Sequence, residues 1–132
     1  TQTDVKVVLK ELPILAQSSV YAAQRSLGAH KLGADYGALH TDLMNQRALD
    51  EATVDRVLAQ RGVDTARAAA IADSPEVIDH LSDVSRLASA LGVNGTPAFF
   101  VGTTAINGAD MAALQAAIDA ERSKLAGRRD RR

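Results

Sequence analysis

The sequence contains no cysteine and no tryptophan among its 132 residues, and aromatic residues make up only 3%. The absence of cysteine excludes disulfide bonds, thiolate metal ligands and cysteine nucleophiles within these residues. The low aromatic content argues against a stacking platform for single-stranded nucleic acid. No stretch of the sequence approaches the roughly 18 to 20 consecutive apolar residues that a membrane-spanning helix needs.

The charges are nearly balanced, since 15 basic and 16 acidic side chains give a formal net charge of -1. Without a strong field of either sign, we expect neither nucleic acid nor a membrane among the partners. The length and the 46% of hydrophobic residues are those of one globular domain. We therefore expect a single domain over residues 1–127 and a frayed, solvated tail over residues 128–132. Because the sequence starts with neither a methionine nor a signal-peptide pattern, we expect a processed product or a fragment.

The first part of the sequence predicts a strand followed by a helical block. Residues 4–12 (DVKVVLKEL) are rich in valine and alternate in character, which is typical of a strand, and Pro13 ends it. Residues 18–72 predict several short helices, the first capped by Ser18 or Ser19 and the third by Asp50. Glycines at the ends of the apolar runs, such as Gly33, indicate helix termini.

The second part predicts a helix, a hairpin and a last helix. The helix starts at Ser74-Pro75-Glu76, a strong opening signal, and ends at Gly92. It carries an apolar stripe at three- and four-residue spacing, made of Val77, Ile78, Leu81, Val84, Ala88 and Leu91. Residues 98–101 predict a short buried strand, which a Gly-Thr turn joins to a second strand over residues 104–106. The last helix carries an apolar stripe made of Met111, Leu114, Ile118 and Leu125. We find no internal repeat.

The sharpest local signal is the segment LGVNGTPAFF over residues 91–100, in which Pro97 directly precedes the predicted strand. Proline cannot donate a hydrogen bond to a sheet, and a cis bond between Thr96 and Pro97 costs little. A cis bond there would turn the backbone of Thr96 outward at the strand edge, where it can pair with an extended peptide. A trans proline that begins the strand accounts for the same residues equally well.

Taken together, the segments VVLKELPIL, LGVNGTPAFFVG and ING resemble DsbA-like thiol-disulfide oxidoreductases of the thioredoxin fold, over about residues 5–124. The resemblance implies a mostly helical α/β protein with a thioredoxin-like fold, in which residues 18–72 form a helical insertion. It implies that the Pro97 bond is cis, and that Thr96 and Pro97 bind substrate polypeptides. It implies neither a metal nor a cofactor, and a periplasmic or other extracytoplasmic location.

The sequence departs from this family at one important point. Family members carry a Cys-x-x-Cys motif at the start of a helix, which follows an opening strand and precedes the strand that matches residues 5–12. The present sequence lacks that first strand, the redox motif and the redox helix. Disulfide exchange needs an attacking thiolate, and no residue here supplies one. We therefore predict a thiol-disulfide oxidoreductase seen without its redox cysteines, with no catalytic residue in this chain and no activity from it alone.

The missing strand would lie between residues 5–12 and residues 98–101, and an empty gap there would leave two unpaired edges. Four explanations remain open. An N-terminal segment exists outside these residues, the chain is a proteolysed piece, a second copy fills the gap in a strand-exchanged homodimer, or residues 5–12 pair directly with residues 98–101 in a repacked sheet. We favour strand exchange or repacking over an empty gap.

Three other functions remain open. The first is a redox-inactive thioredoxin-fold module that binds peptides or mediates assembly, which the lack of cysteine favours if the natural protein starts near Thr1. The second is a glutathione-dependent relative of the kappa-type transferases and isomerases, which share the helical insertion and the proline. The third is a mostly helical interaction domain with a terminal hairpin and a trans Pro97.

The remaining polar residues give weaker signals. The spacings of His30, His40 and His80 match no common metal site, so we predict none. Lys10 and Glu11 are adjacent and would point to opposite faces of a strand. One of them would help to move protons near a redox helix, or both are solvated charges at a strand edge.

Overall fold

The computed structural model describes residues 2–132, and contacts group them into two compact units, one ending at Leu87 and one spanning Ala88–Arg132. Within the described residues there are six helices and one two-stranded sheet. In chain order the elements are α1 (Gln17–Lys31), α2 (Tyr36–Met44), α3 (Glu51–Gln60), α4 (Thr65–Ala72), α5 (Pro75–Ala90), β1 (Ala98–Val101), β2 (Thr104–Asn107) and α6 (Met111–Arg129). The single domain over residues 1–127 stays a prediction.

Four of the helices begin at an aspartate whose carboxylate accepts a backbone N–H from three residues further on. These pairs are Asp35 with Ala38, Asp50 with Thr53, Asp64 with Arg67, and Asp110 with Ala113. This capping satisfies N–H groups that have no partner inside the helix. The predicted cap at Ser18 or Ser19 is wrong, because the N-cap of α1 is Ala16, two residues before Ser18, and both serines lie inside the helix.

The core of the first unit lies where α1 packs against α2, α3 and α4. Its buried residues are Ala22, Ala29, Leu39, Leu43, Val54, Val57, Leu58 and Ala68. The closest approach joins α1 to α4 at Gly28. A Cβ atom at this position would lie 2.3 Å from the carbonyl oxygen of Ala68, so only glycine fits there.

Polar contacts join the same helices at the edge of this core. The Tyr21 hydroxyl of α1 donates to the Asp55 carboxylate of α3 at 2.9 Å. The Arg61 guanidinium donates to Asp42 at 2.5 and 3.0 Å and holds the pKa of that carboxyl below its usual range. Because both aspartates are tied to a neighbouring helix or its end, the contacts fix α3 against α1 and α2.

The apolar stripe of α5 is only partly buried. Val77 and Val84 are buried, whereas Ile78 is 46% exposed and Leu91, just beyond the helix, is 50% exposed. The close contacts between helices in the first unit are all among α1, α2, α3 and α4. Helix α5 makes no such contact there. An amphipathic stripe is buried only when another element packs against it.

Residues 5–12 do not form the predicted strand. They have no regular secondary structure, and Val7 and Val8 are 75% and 63% exposed. A strand requires a second strand to pair its backbone, and β1 pairs only with β2 within the described residues. The direct pairing of residues 5–12 with residues 98–101 is therefore wrong, and the strand-exchanged homodimer stays a prediction.

The predicted hairpin is confirmed, with β1 antiparallel to β2 and Phe99 opposite Ile106. Gly102 takes a positive φ of 58° at the first position of the two-residue turn, a conformation that favours glycine. Helix α6 packs against both strands, and Ile106 is buried. The strand β1 is less buried than predicted, since Phe100 is 44% exposed. Helix α6 continues to Arg129 and so includes the first two residues of the predicted tail.

Candidate functional site

The loop between α5 and β1 is positioned by the way in which α5 ends. The Val93 N–H donates to the Ala88 carbonyl at 2.8 Å, and the Gly92 N–H donates to the Ser89 carbonyl at 3.2 Å. Gly92 has a positive φ of 71°. This pair of hydrogen bonds with a left-handed glycine is the Schellman arrangement, which stops a helix and redirects the chain.

Thr96 and Pro97, the two residues predicted to bind substrate, lie at the start of β1. The peptide bond between them is cis. The Pro97 carbonyl accepts a hydrogen bond of 2.8 Å from the Gly108 N–H, which extends the hairpin by one position. Both residues are exposed. The structure therefore places them together on the surface, where the loop enters the sheet.

The hydrogen-bond pattern shows which backbone groups of β1 face away from β2. In an antiparallel pair, hydrogen-bonded and non-hydrogen-bonded positions alternate. Since Pro97 is bonded to Gly108, the next bonded pair is Phe99 with Ile106, and the N–H and C=O groups of Ala98 and Phe100 point to the other edge. We call this side, from Thr96 to Phe100, the β1 edge.

The β1 edge can bind an extended peptide. In residues 2–132 no strand other than β2 pairs with β1, so the outward-facing groups of Ala98 and Phe100 have no strand partner there. An edge of this kind accepts an additional strand through main-chain hydrogen bonds. The half-exposed Phe100 ring adds an apolar contact. The edge offers no thiolate, because the sequence has no cysteine.

The histidines and Lys10, the other candidates from the sequence, do not form a catalytic or metal-binding arrangement within the described residues. No group of three or more His, Cys, Asp or Glu side chains within the described chain is placed to hold a metal ion. The ring of His30 packs edge-on against the ring of Tyr36, with 5.6 Å between their centroids. Lys10 is exposed.

Glu11 has a role that the sequence did not indicate. The Tyr36 hydroxyl on α2 donates a hydrogen bond to the Glu11 carboxylate and so ties the extended N-terminal segment to the helical block. Burial and the neighbouring Glu11 carboxylate raise the pKa of Tyr36 above its usual range. The two residues are 25 positions apart, so no local spacing could reveal the contact.

We expect this contact to give the protein an alkaline limit of stability. The raised pKa means that folding favours the neutral hydroxyl, so its contribution is complete below about pH 10 and is lost as the pH rises further. Tyr36→Phe should lower the free energy of unfolding at pH 7 by about 1 kcal/mol, the usual value of one hydrogen bond. It should also flatten the fall in stability above pH 10, as measured by urea unfolding. Identical pH profiles for the variant and the wild type would contradict this assignment.

The comparison with protein families identifies the class of this protein. The family described as "DSBA-like thioredoxin domain" matches residues 1–119, and the chain belongs to this family. No curated protein matches the sequence. The predicted resemblance and the mostly helical, thioredoxin-like α/β fold with a helical insertion are therefore confirmed.

Solved structures that are similar to this chain include the following two. A thioredoxin-like oxidoreductase from Silicibacter pomeroyi DSS-3 is 35% identical with a TM-score of 0.81, over 86% of this chain and 66% of that one. Proteus mirabilis ScsC in a compact conformation is 27% identical with a TM-score of 0.79, over 94% of this chain and 69% of that one. These neighbours support a thiol-disulfide oxidoreductase family. The chain spans about two thirds of the length of each.

No helix within residues 2–132 is both long enough and apolar enough to cross a membrane.

Proposed function

We propose that this chain is the substrate-binding part of a DsbA-like thiol-disulfide oxidoreductase whose redox cysteines lie outside these residues. The observation that carries the proposal is the exposed position of Thr96 and Pro97 at the start of β1, where the loop enters the sheet. The backbone of Thr96 would pair with a substrate polypeptide in extended conformation, whereas the outward-facing groups of Ala98 and Phe100 would pair with the opening strand. The match to a DSBA-like domain and to a thioredoxin-like oxidoreductase supports this function.

In this proposal the chain binds and positions its substrate, while the chemistry belongs to a Cys-x-x-Cys helix. The thiolate of that motif would attack a disulfide sulfur and form a mixed disulfide, releasing the other sulfur as a thiolate. The backbone of Thr96 would hold the substrate beside the motif. By resemblance, the substrates are polypeptides and the location is periplasmic or otherwise extracytoplasmic.

Exposed apolar side chains in two regions support the proposal. The extended segment exposes Val7, Val8 and Leu15, the last at 82%. Helix α5 exposes Ile78 at 46%. Surfaces of this kind normally pack against another element, and an opening strand and a redox helix would supply one. The absence of cysteine also fits the alternative, a redox-inactive peptide-binding module. The experiments must therefore measure peptide binding and disulfide exchange separately.

The binding experiment compares two proline variants with the wild type. Thr96 lies at the exposed start of the β1 edge, and Ala105 has a backbone N–H at the opposite edge of the hairpin. Each substitution removes one backbone N–H and no bond between the strands. We expect Thr96→Pro to weaken binding of fluorescein-labelled, carboxymethylated insulin B chain at least about tenfold, the effect of about one lost hydrogen bond with a strained neighbour. Ala105→Pro should leave the affinity unchanged.

Equal affinities for the two variants, with circular dichroism showing both to be folded, would overturn the assignment of the β1 edge. The exchange experiment joins an opening strand and a Cys-x-x-Cys helix of the DsbA-like type to the start of this chain. We expect the fusion to catalyse the reduction of insulin by dithiothreitol, which returns the oxidised motif to its dithiol form, and the chain alone to be inactive, because only the fusion has a catalytic thiolate. A folded fusion without exchange activity, together with intact binding by the chain, would favour the redox-inactive module. A rate that depends on glutathione as substrate would favour the kappa-type relatives.

A further inference from the structure

The charge of this protein is unevenly distributed along the chain. Residues 122–132 contain six basic side chains and one acidic side chain, which gives a local charge of +5. Residues 1–121 contain nine basic and fifteen acidic side chains, which gives -6. The net charge of -1 is the sum of these two local charges and hides the difference between them. A strongly basic segment at one end of a chain is typical of an interaction surface for an anionic partner.

Most of the cations at this end are free to bind. Lys124 is paired with Glu121 at 3.2 Å. In contrast, the guanidinium groups of Arg128, Arg129, Arg131 and Arg132 form no ion pair within the described residues, and all four side chains are exposed. The negative end of the α6 dipole makes this helix terminus a favourable place for positive charge.

The helix arranges these cations around an apolar side chain. Lys124, Gly127, Arg128 and Arg131 line an open concavity, and Gly127 leaves space there because it has no Cβ atom. Leu125 is 51% exposed. Arg128 and Arg129 follow it by three and four residues, so they lie next to it on the helix surface.

We propose that this basic end of α6, residues 122–132, binds the surface of membranes that contain anionic phospholipids. The arginines would contact the phosphate groups of the lipids, and Leu125 would enter the apolar boundary beneath them. The exposed leucine favours a lipid surface over nucleic acid, because an apolar side chain gains nothing from a phosphate backbone. The segment also has no aromatic residue on which a base could stack. The expectation of no membrane partner rested on the net charge alone.

Vesicle sedimentation tests this proposal on the full chain. We expect strong binding to phosphatidylcholine vesicles that contain about 30% phosphatidylglycerol at about 50 mM NaCl, weak binding to pure phosphatidylcholine, and loss of binding at about 500 mM NaCl. Replacing Arg128, Arg129, Arg131 and Arg132 with glutamine should reduce partitioning at least about a hundredfold, since each cation contributes about fivefold. Leu125→Ser should reduce vesicle binding by a factor that is the same at low and at high salt, because it removes an apolar contact and no charge.

The matched control replaces four exposed arginines elsewhere, Arg47, Arg56, Arg67 and Arg86, with glutamine. It has the same net charge as the first variant, and we expect its partitioning to change by less than about threefold. Equal losses in the two variants would show that the net charge matters and the α6 end does not. Absence of binding to the anionic vesicles, or tighter binding to a fluorescent DNA duplex than to them, would also overturn the proposal. The α6 end and the β1 edge are tested by separate readouts, so either proposal can fail alone.

Discussion

Replacing Gly28 with alanine is expected to lower the free energy of unfolding by about 3 kcal/mol, because the new methyl group has no space between α1 and α4. A Cβ atom would lie 2.3 Å from the Ala68 carbonyl oxygen and 3.3 Å from the Ala72 backbone nitrogen. Both obstacles are backbone atoms, so a rotamer change cannot relieve the overlap and one helix must move. Alanine is the better helix former by about 1 kcal/mol, and the clash should outweigh this gain.

Gly37→Ala is the matched control for this experiment. Gly37 also lies in a helix of the first unit, but there the nearest atom to a Cβ would be the Asp35 carboxylate oxygen at 3.6 Å, an ordinary contact. We expect this variant to be as stable as the wild type or more stable by up to about 1 kcal/mol. Urea unfolding followed by circular dichroism measures both. A Gly28→Ala protein with wild-type stability would show that α1 and α4 are further apart than described.

Leu58→Ala is expected to cost about 3 kcal/mol, the middle of the range for a buried leucine. Leu58 lies in α3, is fully buried and belongs to the core between the first helices. The substitution removes its transfer free energy and leaves a cavity that the packed helices can fill only in part. Since small domains are stable by only about 5 to 15 kcal/mol, a large share of the total would be lost.

The control for Leu58 is the same substitution at Leu15, which is 82% exposed. This change should alter the free energy of unfolding by less than about 0.5 kcal/mol, because it leaves no cavity. Differential scanning calorimetry measures the stability of both variants, which carry the same substitution at a buried and at an exposed position. If both variants lost the same stability, Leu15 would be buried in solution, and the extended segment would be packed rather than exposed.

The sequence predicted well those parts of the fold that depend on neighbouring residues. The cap at Asp50, the helix end at Gly92 and the hairpin turn at Gly102 are all local signals, and each is found in the structure. The wrong cap at Ser18 or Ser19 shifted the start of α1 by two or three residues only.

The sequence was less informative where a residue's structure depends on a distant partner. Residues 5–12 have the composition of a strand, yet a strand exists only when another one pairs with it. The apolar stripe of α5 predicted a buried helix, but burial requires a neighbouring element. The contact between Glu11 and Tyr36 joins residues from two segments and could not be found from spacing.

The candidate site was found partly from the sequence and partly from the structure. Thr96 and Pro97 were singled out from the sequence, as the residues at the point where a loop becomes a strand. The edge to which they lead became clear only from the hydrogen bond between Pro97 and Gly108, which fixes the direction of every other backbone group in β1.

The β1 edge also has a consequence for the behaviour of the protein at high concentration. The residues whose backbone groups face outward there are Ala98 and Phe100, and neither is a charged gatekeeper of the kind that keeps sheet edges from growing into cross-β aggregates. An edge open to a peptide is equally open to the same edge of another copy. As the concentration rises, the chain alone will therefore tend to self-associate, and a peptide that occupies the edge should act as a stabiliser in storage.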